Sequence, residues 1–313
     1  MKIIAVDAGK HATKAVATSG EKTLFRTKST HLTTSLDIEA AGNSHKVIYE
    51  EDTFIIGDQG EYVDYSLEKN TLLHKMAIYT AAYRLGCKGD IAAVIGCPTN
   101  IYLSKDNRKE FQDNIKQTPK KFVVDGKLQN IKFSRVLIMP ESSGVVYTNK
   151  ELFVGKRVGV IDLGGRNMNF GIYDNLMPQP SSMMTTNQGS MHIEAMVKRK
   201  FEAMYKRGLS PRDIEDIIEN GGMKYQGKVA PESQKALSEI YMSYADEVVS
   251  NLKKEFPIDL MDIVVTGGTS LLVENAIKQI VPHAQMVNDT QWTNVKGFLE
   301  IGKVKFKCVK QGL

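Results

Sequence analysis

Two stretches of the sequence share one order of apolar and polar positions. The first spans residues 3–18 and turns at Asp7-Ala8-Gly9, and the second spans residues 158–173 and turns at Asp162-Leu163-Gly164. In each, an apolar run leads into an acidic turn and a second apolar run follows, which predicts strand, turn and strand. The repeat predicts two similar α/β halves, each presenting an acidic turn at the end of a central strand.

Periodicities elsewhere predict the remaining elements. Helices are predicted over 71–85, 190–207 (stopped by Gly208), 231–255 and 270–280, with others after Ser104 and at Ser210, and strands over 91–97 and 262–266. Asp125-Gly126 predicts a hairpin turn between 122–124 and 128–133. Near the end, Val304, Phe306 and Cys308 alternate with lysines, which predicts a strand with one solvated face.

The bulk composition sets limits on the class of protein. A chain of 313 residues, 42% hydrophobic and 25% charged, has room for two folded domains and does not resemble a disordered or fibrous protein. The longest apolar stretch, Ile91–Cys97, is too short to span a bilayer. Asp7 follows so few apolar residues that a signal peptide is not expected. We therefore expect a cytoplasmic protein.

Cysteine usage argues against a metal site, and the net charge argues against direct DNA binding. Cys87, Cys97 and Cys308 form no CxxC pair, so we expect reduced packing residues rather than a metal site. The net charge of +5 is modest and its lysines and arginines are scattered, apart from a cluster close to the end. Direct DNA binding is therefore not expected.

The first acidic turn has the residue types that a nucleotide phosphate site needs. Asp7 is suited to hydrated Mg²⁺, and Gly9 lets backbone N–H groups approach a phosphate. Thr13 and Lys14 add a hydroxyl and a positive charge. An ordinary hairpin turn explains the same letters when the motif is taken alone.

The second turn strengthens the phosphate interpretation. Asp162 again ends an apolar strand, and Gly164 and Gly165 follow it. Two such turns facing one another would hold a phosphate chain between them. The sequence contains no single-loop G-x-x-x-x-G-K-[ST] motif that would bind phosphate instead.

Two other segments carry candidate chemistry. Glu141 follows Pro140 between the two halves, where it could activate water in an interlobe cleft or simply cap a helix on the surface. The segment Gly267-Gly268-Thr269 follows a predicted buried strand, where it could let a nucleoside lie against the backbone or serve as a helix start. The residues alone leave both pairs of alternatives open.

The order of these segments resembles the actin, Hsp70 and sugar-kinase superfamily. The matching segments are 3–18, 138–144, 158–173, 262–271 and 293–302. Within it, residues 161–176 and Thr186-Asn187-Gln188-Gly189-Ser190 are similar to plasmid-segregation actins of the ParM and Alp kind.

The resemblance implies an α/β, actin-like (ribonuclease H-like) duplicated fold with two lobes around a nucleotide cleft. It implies a domain I over residues 1–144, with a smaller subdomain at about 30–68. It implies a domain II over residues 145–313, with a smaller subdomain at about 191–258.

The resemblance also implies a set of site residues for Mg²⁺ and ATP or GTP. Glu141 and Asp162 would be catalytic, and Asp7 and Asp162 would hold the metal. The implied nucleotide contacts are Gly9, Lys10, Thr13, Lys14, Gly164, Gly165, Arg166, Asn167, Gly189, Gly267, Gly268 and Thr269. The chain departs from the common pattern at Asn167 and Asn169, where Thr and Asp usually follow the glycines, so one carboxylate is missing.

The function implied is a filament-forming ATPase that segregates plasmid DNA. Its partners would be further copies of itself and a DNA-binding adaptor protein on a centromere-like plasmid site, with no membrane. A small-molecule kinase using the same cleft is one alternative. A cell-shape or division actin is another, but neither residues 1–6 nor 303–313 predict the amphipathic basic helix that membrane attachment would need.

Overall fold

The computed structural model describes residues 1–33, 38–64, 66 and 68–307. The strands are β1 (Lys2–Ala8), β2 (Ala12–Ala17), β3 (Lys22–Arg26), β4 (Ser29–Leu32), β5 (His45–Tyr49), β6 (Asp52–Ile56), β7 (Gly89–Cys97), β8 (Phe122–Val124), β9 (Lys127–Leu128), β10 (Ile131–Pro140), β11 (Arg157–Leu163), β12 (Met168–Asp174), β13 (Met177–Thr186), β14 (Lys224–Tyr225), β15 (Lys228–Val229), β16 (Asp262–Thr266) and β17 (Ala284–Met286). The helices are α1 (Leu72–Arg84), α2 (Thr99–Leu103), α3 (Lys105–Lys116), α4 (Gly144–Thr148), α5 (Ser190–Tyr205), α6 (Pro211–Asn220), α7 (Pro231–Glu255), α8 (Ser270–Ile280) and α9 (Thr293–Lys307).

Two five-stranded sheets have the same topology. The first has the order β10-β7-β1-β2-β3 and the second the order β17-β16-β11-β12-β13. In each, the central strand pairs antiparallel with the strand after its acidic turn and parallel with its other neighbour. The registers place Asp7 opposite Lys14 and Asp162 opposite Asn169. The duplicated α/β fold predicted from the two turns is confirmed.

Parallel pairing brings the strand ends that carry the candidate site residues to one edge of each sheet. Ile91–Cys97 within β7 is buried throughout, as a strand covered on both faces must be. Its neighbours end at Asp7-Ala8 and at Pro140, directly before Glu141. In the second sheet, Asp162-Leu163 and Thr266 end the corresponding strands. The carboxyl ends of parallel strands are the usual ligand edge of such sheets.

A third sheet has the order β4-β6-β5-β8-β9. It combines strands from the region around residue 50 with the hairpin at Asp125-Gly126, whose two residues have φ values of +49° and +75°. This sheet therefore includes residues outside the predicted subdomain at about 30–68, whose bounds remain a prediction. The predicted hairpin partner 128–133 is wrong in part, because β9 ends at Leu128 and Ile131–Phe133 opens β10 in the first sheet.

The predicted strand at 304–308 is wrong within the described residues, because helix α9 continues to Lys307; Cys308 lies outside them. Val295, Phe298 and Leu299 of α9 pack on Ile3, Ala5, Val16, Ala92 and Val94 of the first sheet. A helical spacing of three and four residues therefore prevails over the alternation with lysines. The helix belongs to the core of the first half, although its residues lie in the predicted domain 145–313. The division into those two domains remains a prediction.

Most of the predicted helix limits are reproduced. α7 and α8 have the predicted bounds, and Ser210 starts α6 with a capping box that includes Asp213. The end of α5 differs, because Lys206 takes the left-handed conformation with φ +51° and stops the helix before Gly208.

Candidate functional site

A cavity of about 330 Å³ lies between the two halves and is lined by both acidic turns. The predicted residues on its lining are Asp7, Gly9, Lys10, Lys14, Glu141, Asp162, Gly164, Gly165, Arg166, Asn167, Gly267, Gly268 and Thr269. Its volume is in the range of small-molecule sites in proteins. The two turns, far apart in sequence, therefore meet at one concave site.

The glycines of the turns lie where side chains would collide with neighbouring chain. A Cβ on Gly9 would be 2.9 Å from the carbonyl oxygen of Ala12, and one on Gly165 would be 2.5 Å from Cβ of His11. The second of these contacts joins the two turns directly. Gly267 has φ +91°, and a Cβ there would lie 2.5 Å from Oδ1 of Asp162. Backbone can approach a ligand closely at these positions.

Lys69 joins two of the predicted carboxylates at the floor of the cleft. Its Nζ donates to Oε1 of Glu141 and lies 3.5 Å from Oδ1 of Asp7. Burial disfavours the charge on Lys69, but Glu141 and Asp7 outweigh burial and raise its pKa above the ordinary value. The result is a buried ammonium between two carboxylates. Sequence reasoning missed Lys69, since a lysine directly before a helix normally lies in solvent.

Glu141 receives donors on both oxygens. Lys69 occupies Oε1, and the side-chain amide of Asn169 donates to Oε2 at 3.0 Å. Asn169 is itself oriented by Thr185, whose hydroxyl donates to Oδ1 of Asn169 at 2.8 Å. The side chain is therefore buried in the cleft rather than on the surface. Its position is defined by groups from both halves.

Asp162 is fully enclosed beside the start of α4. Its Oδ2 accepts the backbone N–H of Ser142 at 3.0 Å and the side-chain amide of Asn294 at 2.9 Å. Burial raises the pKa of Asp162 to about 6, against the hydrogen bond from Asn294, which lowers it; Glu141 and Asp7 raise it further. Asn294 comes from the first turn of α9 and was not singled out from the sequence.

Two predicted nucleotide contacts, Thr13 and Gly189, make other interactions in the structure. Thr13 is buried, its hydroxyl pairs with that of Thr27 at 2.8 Å, and it is not on the cavity lining. The structure therefore does not place it with the other predicted residues, and its phosphate contact stays a prediction. Gly189 is also absent from the lining and packs against the backbone of Gly165 and Arg166 from behind. Its predicted nucleotide contact likewise stays a prediction.

Lys10 is on the lining, but its ammonium is already paired. Nζ lies 2.8 Å from Oδ2 of Asp64, with both side chains almost fully buried. Burial lowers the pKa of Lys10, and the bond to Asp64 opposes that effect. Lys10 therefore ties the first turn to the segment before α1 that also carries Lys69.

Several buried polar atoms at the cleft have no partner in the protein. They are Nε of Arg166, Oδ1 of Asn167, Oδ1 of Asn294 and, beside Gly267, the hydroxyl of Thr266. Buried polar groups are normally hydrogen-bonded, so orphaned donors and acceptors around a cavity fit a polar ligand. A donor on Arg166 suits a phosphate oxygen, and the amide oxygens suit bound water.

The second half also contributes apolar side chains to the lining of the cavity. Its lining includes Ile218, Leu271 and Leu272, with Glu194 and Glu215 nearby. A lining that combines charged and apolar side chains fits a ligand that joins a phosphate chain to an aromatic base.

A metal ion at this site would need ligands from outside the protein. Within residues 1–33, 38–64, 66 and 68–307, no three His, Cys, Asp or Glu side chains are grouped to hold a metal. Mg²⁺ commonly uses only one or two carboxylates together with phosphate and water. Asp7 and Asp162 on one cavity, with orphaned amide oxygens beside them, fit that mode of binding.

Comparison with known proteins agrees with the fold. Residues 5–144 match the family described as "Actin like proteins N terminal domain". No curated protein matches the chain in sequence. The matched segment covers a little under half of the chain, and the fold of the whole chain is actin-like.

Its solved relatives include ParM and Alp proteins. The archaeal actin homolog Ta0583 is 16% identical with a TM-score of 0.82, covering 97% of this chain and 100% of that one. The Alp12 filament is 26% identical with a TM-score of 0.72 over 97% and 99%. A 15-stranded ParM filament from Clostridium botulinum is 17% identical with a TM-score of 0.79 over the same shares. Ta0583 has also been solved in complex with ADP, with a TM-score of 0.81, 15% identity and coverage of 97% and 100%.

None of the helices built by the described residues has the length and apolar character needed to cross a membrane.

Proposed function

We propose that the chain is a Mg²⁺-dependent ATPase that polymerises and segregates plasmid DNA through an adaptor protein. The observation that carries this proposal is the single cavity lined by Asp7, Asp162, Glu141 and the glycines of both turns. Relatives solved as filaments, and one solved with ADP, support polymerisation and nucleotide binding.

The proposed roles of the residues follow from their positions. Gly9, Gly164 and Gly165 expose backbone to the phosphates, and Lys14 and Arg166 provide positive charge. The nucleoside lies against Gly267, Gly268 and Thr269, where Thr269 ties the segment to the second turn by donating to the carbonyl of Gly164 at 2.7 Å.

Asp7 and Asp162 are the proposed magnesium ligands. Bound Mg²⁺ would neutralise charge on the phosphate chain during transfer to water. Asp162 must be ionised to serve, and its pKa of about 6 leaves it mostly charged at neutral pH. Its bonds from Ser142 and Asn294 fix the orientation of the carboxylate.

Glu141 is the proposed residue that orients the attacking water and accepts its proton. Both oxygens accept a donor, but a carboxylate has further lone pairs, so a water can still bind. Lys69 and Asn169 hold the carboxylate in place. Asn169 replaces a carboxylate usual in related proteins and keeps only the hydrogen-bonding role.

A nucleotide that contacts both halves would couple its hydrolysis to filament assembly. A triphosphate held between the two turns would favour one relative angle of the halves, and hydrolysis would remove that preference. Head-to-tail contacts that do not close on themselves produce filaments. The net charge of +5 is too small to suggest direct DNA binding, so we propose an adaptor on a centromere-like site as the DNA partner, in the cytoplasm.

Light scattering with ATP and Mg²⁺, followed by electron microscopy and a phosphate-release assay, tests this proposal. We expect polymer and phosphate release that both increase with protein concentration, and GTP in parallel reactions reports the base preference. Asp162→Lys is the control, since reversing the charge should abolish magnesium-dependent nucleotide binding. Absence of polymer with every nucleotide would contradict the proposal, and transfer of phosphate to a sugar would favour a kinase.

A further inference from the structure

Charges of opposite sign face one another across the rim of the cleft. Arg26 of the first half lies on the cavity lining, and so do Glu194 and Glu215 of the second half. Burial raises the pKa of Glu194, while the positive charge of Arg26 lowers it. The arrangement attracts the two halves toward each other at the rim.

Arg26 and Glu215 connect this rim directly. Nη2 of Arg26, at the end of β3, donates to Oε1 of Glu215 in α6, with side chains 25% and 30% exposed. The other guanidinium nitrogen, Nη1, donates to the ring of His11 in the first turn. Burial and the neighbouring Arg26 lower the pKa of His11 to about 4, so the ring is neutral and can accept this bond. The guanidinium thus joins a phosphate turn of one half to a helix of the other.

A second contact joins the two halves beside the Arg26–Glu215 ion pair. His11 is in contact with Gly165 of the second turn, as the 2.5 Å approach of a Cβ on that glycine to Cβ of His11 demonstrates. Separation of the halves at the rim must break both the ion pair and this contact. An ion pair that joins the two halves beside the cavity opposes their separation there.

We propose that Arg26 and Glu215, with His11 behind the guanidinium, form a clasp that slows release of nucleotide from the cleft. The inference rests on the proposed nucleotide site. An ion pair with partial exposure is worth about 0.2–1 kcal/mol, which corresponds to a change in release rate of about 1.4- to 5-fold. The clasp therefore tunes the lifetime of the nucleotide rather than deciding whether it binds.

The chain offers a matched control for this pair. Arg212 also pairs with Glu215, at 3.5 Å, but both lie on α6 in the second half. Replacing Arg212 removes a charge next to Glu215 without cutting the connection across the cleft. Glu215 keeps a cationic neighbour in either arginine variant, so neither is expected to unfold the protein.

The experiment is dissociation of fluorescent mant-ADP, chased by excess ADP with Mg²⁺ in a stopped-flow instrument. We expect Arg26→Gln and Glu215→Gln to release it about 1.4- to 5-fold faster than the parent protein, and Arg212→Gln at the parental rate. Raising the salt concentration should accelerate release from the parent more than from Arg26→Gln, because salt screens the pair. Thermal unfolding midpoints check that each variant is folded.

The possible results separate the clasp from the function. Binding of mant-ADP by the parent, with equal release rates for Arg26→Gln and Arg212→Gln, would overturn the clasp and leave the nucleotide site standing. Slower release from Arg26→Gln would also overturn it, since the arginine would then compete with the ligand. No binding of mant-ADP or mant-GTP by the parent would overturn the proposed function and the clasp with it.

Discussion

At the scale of single residues, the ion pairs of Lys69 stabilise the carboxylates at the floor of the cleft. Among the described residues, Lys69 is the only cation that forms ion pairs with Glu141 and Asp7. Removing one partner of a buried pair leaves an uncompensated charge, whereas removing one partner of an exposed pair changes little.

We expect Lys69→Met to lower the free energy of unfolding by roughly 3–5 kcal/mol, measured by urea denaturation. Lys156→Met is the control, because Lys156 pairs with Asp262 on the surface at 3.1 Å, and we expect a change within about 0.5 kcal/mol. Equal losses in the two variants would show that Lys69 is not buried against the carboxylates as described.

His11 makes stability depend on pH. Its pKa is about 4 in the folded protein and near 6.5 when unfolded, so between those values the unfolded chain binds more protons and folding weakens as the pH falls. From this residue we expect a loss of about 2 kcal/mol between pH 8 and pH 5. Urea denaturation at the two pH values measures it, and His11→Gln should lose correspondingly less. An unchanged difference in that variant would contradict the assignment.

The sequence predicted the cleft carboxylates but not their partners. Asp7 and Asp162 each end an apolar strand, a local pattern that marks them directly. Lys69 and Asn294 reach the site through the tertiary fold, from the segment before α1 and from the start of α9, and nothing adjacent in sequence distinguishes them. Thr13 does not join these residues at the cavity, because its side chain follows the strand alternation toward Thr27.

At the scale of elements, α4 and α9 cross at a pair of glycines beside the cleft. A Cβ on Gly144 would be 2.3 Å from Cα of Asn294, and one on Gly297 would be 2.0 Å from the carbonyl oxygen of Gly144. Both obstacles are backbone, which cannot move aside as a flexible side chain can. The crossing also sets the position of Asn294 against Asp162.

We therefore expect Gly297→Ala to destabilise the protein by about 1–3 kcal/mol, measured as a shift in the urea midpoint. It should also weaken Mg²⁺-dependent nucleotide binding, because Asn294 would be displaced. Gly208→Ala is the control, since a Cβ there meets no atom within 4 Å. If Gly297→Ala were as stable as Gly208→Ala, the close crossing would be refuted.

Element prediction succeeded where caps and periodicity agreed and failed where two periodicities competed. Pro231 and Ser270 begin helices with the predicted bounds. In α9, lysines at every second position suggested a strand, whereas the apolar positions Val295, Phe298 and Leu299 follow the helical period and pack on the first sheet. Burial of that face favours the helix.

At the scale of the whole molecule, Glu141 is proposed to link hydrolysis to filament lifetime. Its carboxylate is held by Lys69 from the first half and Asn169 from the second. A residue that serves only in proton transfer can be neutralised without preventing nucleotide binding or assembly.

We expect Glu141→Gln to reduce phosphate release by roughly 10²- to 10⁴-fold while filaments still form with ATP and then persist. Phosphate release and the decay of light scattering in one sample measure both effects, with the exposed Glu151→Gln as control. Hydrolysis at the parental rate would remove Glu141 from the proposed mechanism, and failure to assemble would assign it to binding instead.

Packing of α9 on the first sheet also has a consequence for synthesis on the ribosome. Ile3, Ala5, Val16, Ala92 and Val94 are translated early, yet the helix that covers them is translated last among the described elements. One face of the amino-terminal sheet therefore stays uncovered in the nascent polypeptide until elongation has passed Leu299. Exposed apolar strands of this kind are substrates for chaperones, so the amino-terminal half cannot reach its native state as an independent co-translational unit.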